Sequence, residues 1–395
     1  MCIRDRLIVA TLVAAFLGTL LSQTITFVAD DFDVGEGTQG LVLSLTRVGA
    51  LLSLVAVAAA DRVGRRRMIT VTALGSALFA ALAAISPNIW FFGSAELVSR
   101  GFATALGLLV GIVAAEESPA GSRAWTVAVL ALFAGLGSGA VLWMVPIADS
   151  GAGMWRWLFA AALLLVPVAL WIGRNLAESR RFERQAASTG RETAAPITSR
   201  LRRRFVLLAI VSFAVATFAA PSSNFQNEYL REVRGFSGTR ISVFSSVTST
   251  PIGIGVAIFG PLADRRGRRI IGAIGIIAGV VFNVIRYGYG GPIMWIAGTL
   301  STIIGAAAIP ALGVYGPELF PTSRRGLANG LLTVVTVVGS VVGLTFVGFM
   351  VERFSFGLTF ALLAIVPLVA VITLRWYPET AQIELEQLNP EDQPT

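Results

Sequence analysis

Long apolar runs, separated by short charged or glycine-rich stretches, recur along the whole chain. They lie near 7–29, 38–60, 68–86, 89–114, 124–147 and 155–173, and again near 205–224, 241–259, 270–288, 292–315, 326–350 and 357–374. Most of these runs approach the roughly 20 residues that an α-helix needs to cross a bilayer. The pattern predicts an all-α membrane protein with twelve transmembrane helices in two sets of six.

The composition supports this interpretation. Hydrophobic residues make up 55% of the chain and charged residues 14%, and the mean hydropathy is +0.76. We predict an N-terminal six-helix bundle over 1–173, a cytoplasmic linker over 174–204, a C-terminal bundle over 205–377 and a cytoplasmic tail over 378–395. The first run has no small-residue cleavage site after it, so it is predicted to stay as a span rather than to be removed as a signal peptide.

The chain lacks side chains on which many enzymes depend. It contains no histidine, all 31 of its basic residues are arginine, and Cys2 is its only cysteine. These absences exclude a Schiff-base lysine, an imidazole base, a disulfide framework and most zinc sites. We predict no catalytic residues, no cofactor, no metal site and no enzymatic activity.

The net charge of +8 is arranged as a membrane-topology signal. The arginines stand in short blocks between apolar runs rather than on a basic face with aromatic residues, so no nucleic-acid partner is predicted. A cytoplasmic N-terminus places most of them on the cytoplasmic side, whereas the first outer loop contains Asp30, Asp31, Asp33 and Glu36. The positive-inside rule therefore predicts a multi-pass protein in the lipid bilayer of the plasma membrane, with both termini in the cytoplasm.

A short charged motif occurs twice, each time after an apolar run. The first copy is Asp61-Arg62-Val63-Gly64-Arg65-Arg66-Arg67 and the second is Asp264-Arg265-Arg266-Gly267-Arg268-Arg269. Two further pairs have nearly the same separation: Glu116 and Arg123 correspond to Glu318 and Arg325, and Glu178 corresponds to Glu379. Landmarks repeated about 200 residues apart indicate a duplicated six-span unit.

These motifs resemble those of a known family. Gly260-Pro261-Leu262-Ala263 and the second motif copy together resemble the hallmark loop of the major facilitator superfamily, whereas the first copy keeps only its charged half. Pro317-Glu318-Leu319-Phe320-Pro321-Thr322 and Tyr377-Pro378-Glu379-Thr380 are similar to the sugar-porter-like branch. The resemblance implies two pseudo-symmetric six-helix bundles, the major facilitator fold, and transport by alternating access.

The resemblance also implies that the loop charges gate the conformational change. The residues it assigns to gating are Asp61, Arg62, Gly64, Arg65, Glu116, Arg123, Asp264, Arg265, Gly267, Arg268, Glu318 and Arg325. The alternative is that these loops only anchor helices and set the topology.

Charged side chains also lie inside predicted spans. Arg47 is about ten residues into the second run and Arg100 about eleven into the fourth, so each is roughly 15 Å deep. An arginine there costs about 2.5 to 3.5 kcal/mol on insertion scales and needs a cavity or a partner. Glu96, Arg100 and Thr104 share one helical face, which we expect to point inward. These side chains either bind a solute, with Glu96 exchanging a proton, or form a fixed ion-pair network that positions helices.

Polar side chains close the outer ends of two spans. Gln23 in the first run, and Asn224, Gln226 and Asn227 at the end of the seventh, are candidates for the substrate path, as is Asn329 in the eleventh. Polar side chains at these positions also serve solvation and helix packing in lipid. Both interpretations stay open.

Together these features predict a secondary active transporter of a small polar or anionic organic solute, either a sugar or an organic acid. We expect coupling to a proton and a monomeric protein. The fifth run, with Gly135-Leu136-Gly137-Ser138-Gly139, lacks the Gly-Pro signature of antiporters, which favours import. The alternative within transport is a drug or metabolite efflux antiporter of the same fold. The alternative outside transport is a membrane solute sensor that moves no solute.

Overall fold

The structure is a computed structural model that describes residues 3–117, 123–176, 178, 198–313 and 315–381. In the first half the helices run over Ile3–Asp31, Glu36–Gly49, Leu52–Val63, Arg65–Ala83, Ile89–Glu117, Arg123–Ala148, Trp155–Ala160 and Leu165–Asn175, with a 3₁₀ turn over Ala161–Leu164. In the second half they run over Ser199–Asn224, Gln226–Glu228, Gly238–Ser249, Ile252–Arg266, Arg268–Gly288, Gly291–Gly305, Ala308–Leu312, Tyr315–Glu318, Thr322–Val351 and Phe356–Val371, with a π-helical turn over Tyr229–Val233 and a 3₁₀ turn over Ile372–Trp376. The described residues contain no strand, so the all-α prediction is confirmed.

Twelve helical spans in the described ranges are long and apolar enough to cross a membrane. They are Asp5–Asp31, Glu36–Ala60, Arg65–Ala83, Ile89–Ala114, Val129–Ala148, Trp155–Asn175, Ser199–Asn224, Gly238–Arg266, Arg268–Gly288, Gly291–Leu312, Leu327–Val351 and Phe356–Trp376. This confirms the predicted number of spans. The third span begins earlier and the eighth ends later than the apolar runs suggested, because both helices continue through arginines up to the motif glycine.

Each motif glycine separates two helices. Gly64 has a φ of 104° and Gly267 a φ of 100°, a backbone conformation that favours glycine. The chain therefore leaves one helix and begins the next within a single residue. The arginines that follow each glycine, Arg65 and Arg268, become the first residues of the third and ninth spans.

The seventh span begins within the stretch predicted as linker. Thr198 lies just before it, and its Oγ1 accepts a hydrogen bond from the backbone N–H of Leu201 at 3.3 Å. Such a cap satisfies one of the N–H groups that a helix start leaves without a partner. Arg204 in this first part of the helix is buried and donates to the carbonyl oxygen of Leu319 at 2.8 Å. The predicted boundary of the linker at residue 204 was therefore too late, because the charged residues 200–204 already belong to the capped helix.

The chain forms two compact units. The first consists of Met1–Gly190 with Leu230–Ser242, and the second of Arg191–Tyr229 with Val243–Thr395. The segment Leu230–Ser242 therefore belongs with the first six spans, although it follows the seventh in the sequence.

Asp149 holds this segment in the first unit. One carboxylate oxygen accepts a hydrogen bond from Arg231 at 2.9 Å, and the other accepts from the backbone N–H of Gly238 at 2.6 Å. Further along, the Ser242 hydroxyl donates to the carbonyl oxygen of Leu142 at 2.5 Å. Polar contacts at both ends fix the segment on the first unit.

The two units repeat the same helix packing. The first span packs on the fifth and the third on the fourth, as the seventh packs on the eleventh and the ninth on the tenth. A Cβ on Gly137 would overlap the carbonyl oxygen of Leu12, and a Cβ on Gly339 would overlap that of Phe213. Small residues allow such close backbone approach between membrane helices. These two contacts lie about 200 residues apart and extend the sequence repeat into the membrane.

Candidate functional site

A charged cluster surrounds Arg268 at the end of the second unit that carries the motif, here called the motif end. The Nη2 of Arg268 donates to Asp264 Oδ1 at 3.2 Å, and its Nη1 donates to Thr380 Oγ1 at 2.9 Å. The same Nη1 also donates to Glu318 Oε2. Arg268 is 12% exposed, whereas Asp264 is 63% exposed. The cluster therefore joins the end of the eighth span and the start of the ninth to the short helix Tyr315–Glu318 and to the chain after the twelfth span.

Glu379 caps the ninth span from this cluster. Its carboxylate accepts hydrogen bonds from the backbone N–H groups of Arg268 at 2.9 Å and Arg269 at 3.4 Å. The first N–H groups of a helix have no partner within the helix, and a negative charge there is favoured by the helix dipole. The carboxylate thus stabilises the start of the helix that carries the motif arginines.

The first unit repeats this cap with Glu178. Its Oε1 accepts hydrogen bonds from the backbone N–H groups of Arg65 at 2.9 Å and Arg66 at 3.2 Å. The Nε of Arg66 in turn donates to the carbonyl oxygen of Gly173 at 2.8 Å. The paired glutamates, recognised in the sequence only as a repeat, are therefore equivalent helix caps, a role that their spacing did not reveal.

The environment of Glu379 favours its ionised form. Burial raises the pKa of the Glu379 carboxyl, but hydrogen bonds from the backbone N–H groups of Arg268, Ala381 and Arg269 outweigh it, and the pKa lies below its usual range. Arg269 also forms an ion pair with this carboxylate at 3.5 Å. The cap is therefore charged at neutral pH.

The structure gathers part of the predicted gating set. Asp264, Gly267, Arg268 and Glu318 lie together in the second unit, whereas Arg265 is exposed beside them. Gly64 and Arg65 lie at the Glu178 cap of the first unit. The side chains of Asp61, Arg62, Glu116, Arg123 and Arg325 lie outside the described part of the structure. A gating role for this set remains a prediction.

Glu96 and Arg100 lie on one face of the fourth span, as their spacing predicted. Glu96 is 2% exposed, and its Oε1 has no hydrogen-bond partner among the described residues. Arg100 donates to the carbonyl oxygen of Gly18 in the first span at 3.4 Å. The two charges interact electrostatically, yet no ion pair within 4.0 Å joins them among the described residues.

Arg47 brings a second positive charge close to Arg100. It lies in the last turn of Glu36–Gly49, where the second span is interrupted, and is half-buried. Its electrostatic neighbour is Arg100, and within the described ranges it has no ion-pair partner. Two guanidinium groups of like charge therefore share the interior of the first unit, with Glu96 as the nearby carboxylate.

The rest of this face borders open space. Thr104 is half-buried one turn beyond Arg100. A Cβ added to Gly107 or Gly111 would meet no atom within 4 Å, and the same holds for Gly18 on the first span. At these glycines the face that carries Arg100 is therefore not packed against another helix, and its inward orientation remains a prediction.

The predicted outer polar residues have different surroundings. Gln23 is half-buried, and Asn227 is buried. Asn224 donates to the carbonyl oxygen of Ala220 at 2.7 Å, while its own Oδ1 has no hydrogen-bond partner among the described residues. Gln226 is buried in a polar network of the second unit. Their place in a substrate path remains a prediction.

Asn329 lies near the motif end of its span. It is in the first part of Thr322–Val351, and its Oδ1 would overlap a Cβ on Gly316. Its immediate neighbour is thus the short helix Tyr315–Glu318 at the motif end. A role in the substrate path remains a prediction for Asn329 as well.

Sequence reasoning missed Arg286. This arginine lies near the end of the ninth span opposite the motif and is 7% exposed. Its Nη1 donates to Gln226 Oε1 at 2.6 Å, and its Nη2 donates to the carbonyl oxygen of Ser222 at 2.9 Å. It lines a cavity of about 400 Å³ inside the second unit. The available signal was a single arginine inside the apolar run 270–288.

The fold and these charges define a class of protein. Twelve spans in two units, a duplicated charged loop and buried charges beside open space inside the membrane are features of a solute transporter. Residues 7–237 and 216–394 match the family model described as Major Facilitator Superfamily, and the chain belongs to this superfamily. It is a multi-pass membrane transport protein rather than an enzyme.

Known proteins similar to this chain agree with the assignment. A "Putative metabolite transport protein" of Haemophilus influenzae is 28% identical, with 92% of this chain and 91% of that protein covered. The cis,cis-muconate transport protein of Acinetobacter baylyi is 24% identical, with 87% and 86% covered. The inward open structure of the E. coli xylose transporter has a TM-score of 0.77 at 14% identity, with 98% and 99% covered. At that identity the structural likeness shows the fold alone.

Proposed function

We propose that this protein imports a small organic anion together with a proton across the plasma membrane by alternating access. The observation that supports an anion is the pair Arg47 and Arg100, two like charges inside the first unit without an ion-pair partner among the described residues. Two guanidinium groups beside the single carboxylate of Glu96 leave one positive charge uncompensated, which is costly inside a membrane protein, and binding an anion relieves that cost. The A. baylyi relative is named for transport of cis,cis-muconate, an organic anion.

Arg100 is the side chain we assign to the solute's anionic group. It lies about 16 Å from the start of the fourth span at 1.5 Å per residue, beside glycines that leave space. A guanidinium presents planar N–H donors that match a carboxylate. Thr104, one turn further, supplies a hydroxyl on the same face. Arg47 adds a second positive charge to the same region.

Glu96 is the carboxylate we assign to the coupling proton. It is buried, and it interacts with Arg100 four residues later on the same helix. An anion bound to Arg100 offsets the positive charge that favours an ionised Glu96, so binding of the anion favours protonation of Glu96. Anion and proton would then move together, because one binding event promotes the other. A single proton balances a monovalent anion and leaves the dianion cis,cis-muconate with one net negative charge.

The membrane orientation and gate belong to the same proposal. We assign the motif ends of both units to the cytoplasm because most of the 31 arginines lie in segments on that side. The Arg268 cluster is assigned to the cytoplasmic gate, with Asp264 as its exposed acceptor. We further propose a monomer, with the N- and C-terminal bundles over 1–173 and 205–377.

A binding comparison tests the anion assignment. We expect cis,cis-muconate to raise the unfolding temperature of the purified protein, whereas neutral D-xylose leaves it unchanged. Ligand at 100 times its Kd adds about 2.7 kcal/mol to the stability of the folded state. Arg47→Gln and Arg100→Gln are each expected to weaken muconate binding by roughly 10- to 100-fold, the effect of losing a charged hydrogen-bond donor. Arg353→Gln, at an exposed arginine, serves as the matched control.

The same proteins in liposomes test coupling. Wild type is expected to accumulate muconate when the outside is acidified, whereas Glu96→Gln keeps muconate exchange and loses this accumulation. Stabilisation by xylose without stabilisation by muconate would contradict the anion assignment. Full pH-driven accumulation by Glu96→Gln would contradict the role of Glu96 and leave the anion assignment in place.

A further inference from the structure

The second unit contains a cavity that the proposed import mechanism does not use. It has a volume of about 400 Å³, within the usual range for small-molecule sites, and lies among the seventh, eighth, ninth and tenth spans. Its lining is polar at one end and apolar along the rest. Arg286, Gln226 and Asn283 contribute to the polar end, while Ile276 and Val280 contribute apolar surface.

Arg286 places a positive charge at the polar end. An arginine so near the end of a span can usually extend its side chain to water. Here the side chain is instead turned into the protein, with only 7% exposed. No acidic group within 4.0 Å pairs with it among the described residues, and its Nε has no hydrogen-bond partner there. Arg286 therefore brings to the cavity wall a cation that has no carboxylate partner among the described residues.

The neighbouring helix end compensates only part of this charge. The Nη2 of Arg286 and the hydroxyl of Tyr287 both donate to the carbonyl oxygen of Ser222, at 2.9 and 2.7 Å. Ser222 lies in the last turn of Ser199–Asn224, where helix carbonyls lack partners within the helix. The end of a helix is equivalent to roughly half a negative charge. A net positive charge remains for a ligand.

Hydrogen bonds hold the polar wall in one arrangement. Asn283 accepts from the Ser222 hydroxyl at 2.9 Å and donates to Ser301 Oγ at 2.5 Å. Gln226 accepts from Arg286 and donates one of its two amide hydrogens to Ser245 at 2.8 Å. A wall fixed in this way is preorganised, so binding costs little additional ordering.

We infer that this cavity binds the carboxylate of a small organic acid next to Arg286, with the apolar body of the acid along the wall of Ile276 and Val280. All residues that line the site belong to the second unit, and neither Arg47 nor Arg100 is among them. The inference goes beyond the proposed import function and does not depend on it. It gives the protein a second anion site, available to regulate transport.

Titration with 4-fluorobenzoate, followed by calorimetry and by its fluorine NMR signal, tests the inference. The host is the full-length Arg47→Gln/Arg100→Gln protein, in which the proposed import site is removed. We expect saturable binding there, no binding of neutral 4-fluorobenzamide, and at least tenfold weaker binding after Arg286→Gln. Arg353→Gln, at an exposed arginine, is expected to leave the affinity unchanged.

A second variant keeps the experiment decisive if Arg286→Gln does not fold. Val280→Phe fills the apolar part of the cavity, keeps Arg286 and is expected to abolish binding at an unchanged unfolding temperature. Unaltered binding in Val280→Phe, or equal binding of the benzamide, would overturn the inference. So would loss of fluorobenzoate binding in bilayers containing phosphatidylglycerol but not in pure phosphatidylcholine, since a lipid headgroup would then be the ligand.

Discussion

The carboxylate of Glu379 holds the start of the ninth span, because it accepts hydrogen bonds from the backbone N–H groups of Arg268 and Arg269. Glu379→Gln removes its charge from the start of the ninth span and from the ion pair with Arg269. We expect a loss of about 1 kcal/mol, typical for a helix cap, measured by thermal unfolding in detergent at pH 7. Glu178→Gln is expected to behave alike because it caps the third span in the same way.

The effect has a defined pH dependence. The folded-state pKa of Glu379 is lowered, so its contribution to stability is present above the pKa of the unfolded chain and is lost as the pH falls through the folded pKa. The difference between wild type and Glu379→Gln should therefore shrink in the acidic range. Asp33→Asn, at an exposed position, is the control. A difference that grows on acidification would contradict the cap.

The sequence predicted the position of some single residues and not of others. The position of Glu96, Arg100 and Thr104 on one face followed from helical periodicity, which depends on the local chain alone. The burial of Arg286 did not, because it results from Gln226 and Ser222, about 60 residues earlier along the chain. Helical periodicity shows on which side of a helix a residue lies, but it does not show which distant residues contact that side.

The close helix–helix contacts at Gly137 and Gly339 can be tested by adding a single methyl group to each glycine. Gly137→Ala and Gly339→Ala place a Cβ onto the carbonyl oxygens of Leu12 and Phe213. We expect each to cost about 1 to 3 kcal/mol in thermal unfolding, since overpacking forces the helices apart. Gly139→Ala, where a Cβ would meet no atom within 4 Å, is the matched control.

The control substitution Gly139→Ala should not lower the stability of the protein. Alanine favours the helical backbone by up to about 1 kcal/mol over glycine, so Gly139→Ala is expected to be neutral or stabilising. Equal destabilisation by all three substitutions would show that the close contacts are not what sets the stability of these helix pairs.

Spans were the most predictable elements. Hydropathy located all twelve because a membrane helix needs a run of about 20 predominantly apolar residues. Their ends were less predictable where charges continue the helix, as at Arg65 and at 200–204. There a backbone conformation at Gly64 or a side-chain cap at Thr198 sets the boundary, and neither appears in a hydropathy pattern.

At the scale of the whole molecule, Asp149 is expected to control access to the segment Leu230–Ser242. Ser242 is 0% exposed, so Ser242→Cys, in a protein with Cys2→Ser, should react slowly with a maleimide. Adding Asp149→Asn weakens the ion pair with Arg231 and the bond to Gly238. We expect labelling to become several-fold faster.

Asp33→Asn in the same background is the control for this experiment, because Asp33 is exposed at the end of the first span. It should leave the labelling rate unchanged. Equal rates with and without Asp149→Asn would mean that the apolar contacts of the segment, rather than Asp149, keep it in place.

The division into two six-span halves was visible in the sequence because duplicated motifs preserve their spacing over long distances. The membership of Leu230–Ser242 in the first unit was not visible. It depends on pairing between charges that lie 82 residues apart, Asp149 and Arg231. Apolar runs and motifs give no information about such pairing.

Because Leu230–Ser242 belongs to the first unit but follows the seventh span in the sequence, the first unit is synthesised in two parts. A ribosome completes the sixth span long before it reaches Arg231, so the nascent first unit holds Asp30 and Asp149 without the arginine that later pairs with both. Its final packing therefore waits for the chain to pass residue 242. A fragment ending at residue 190 would lack residues 230–242, and a separate peptide spanning 230–242 would be expected to restore the pairing of Arg231 with Asp30 and Asp149.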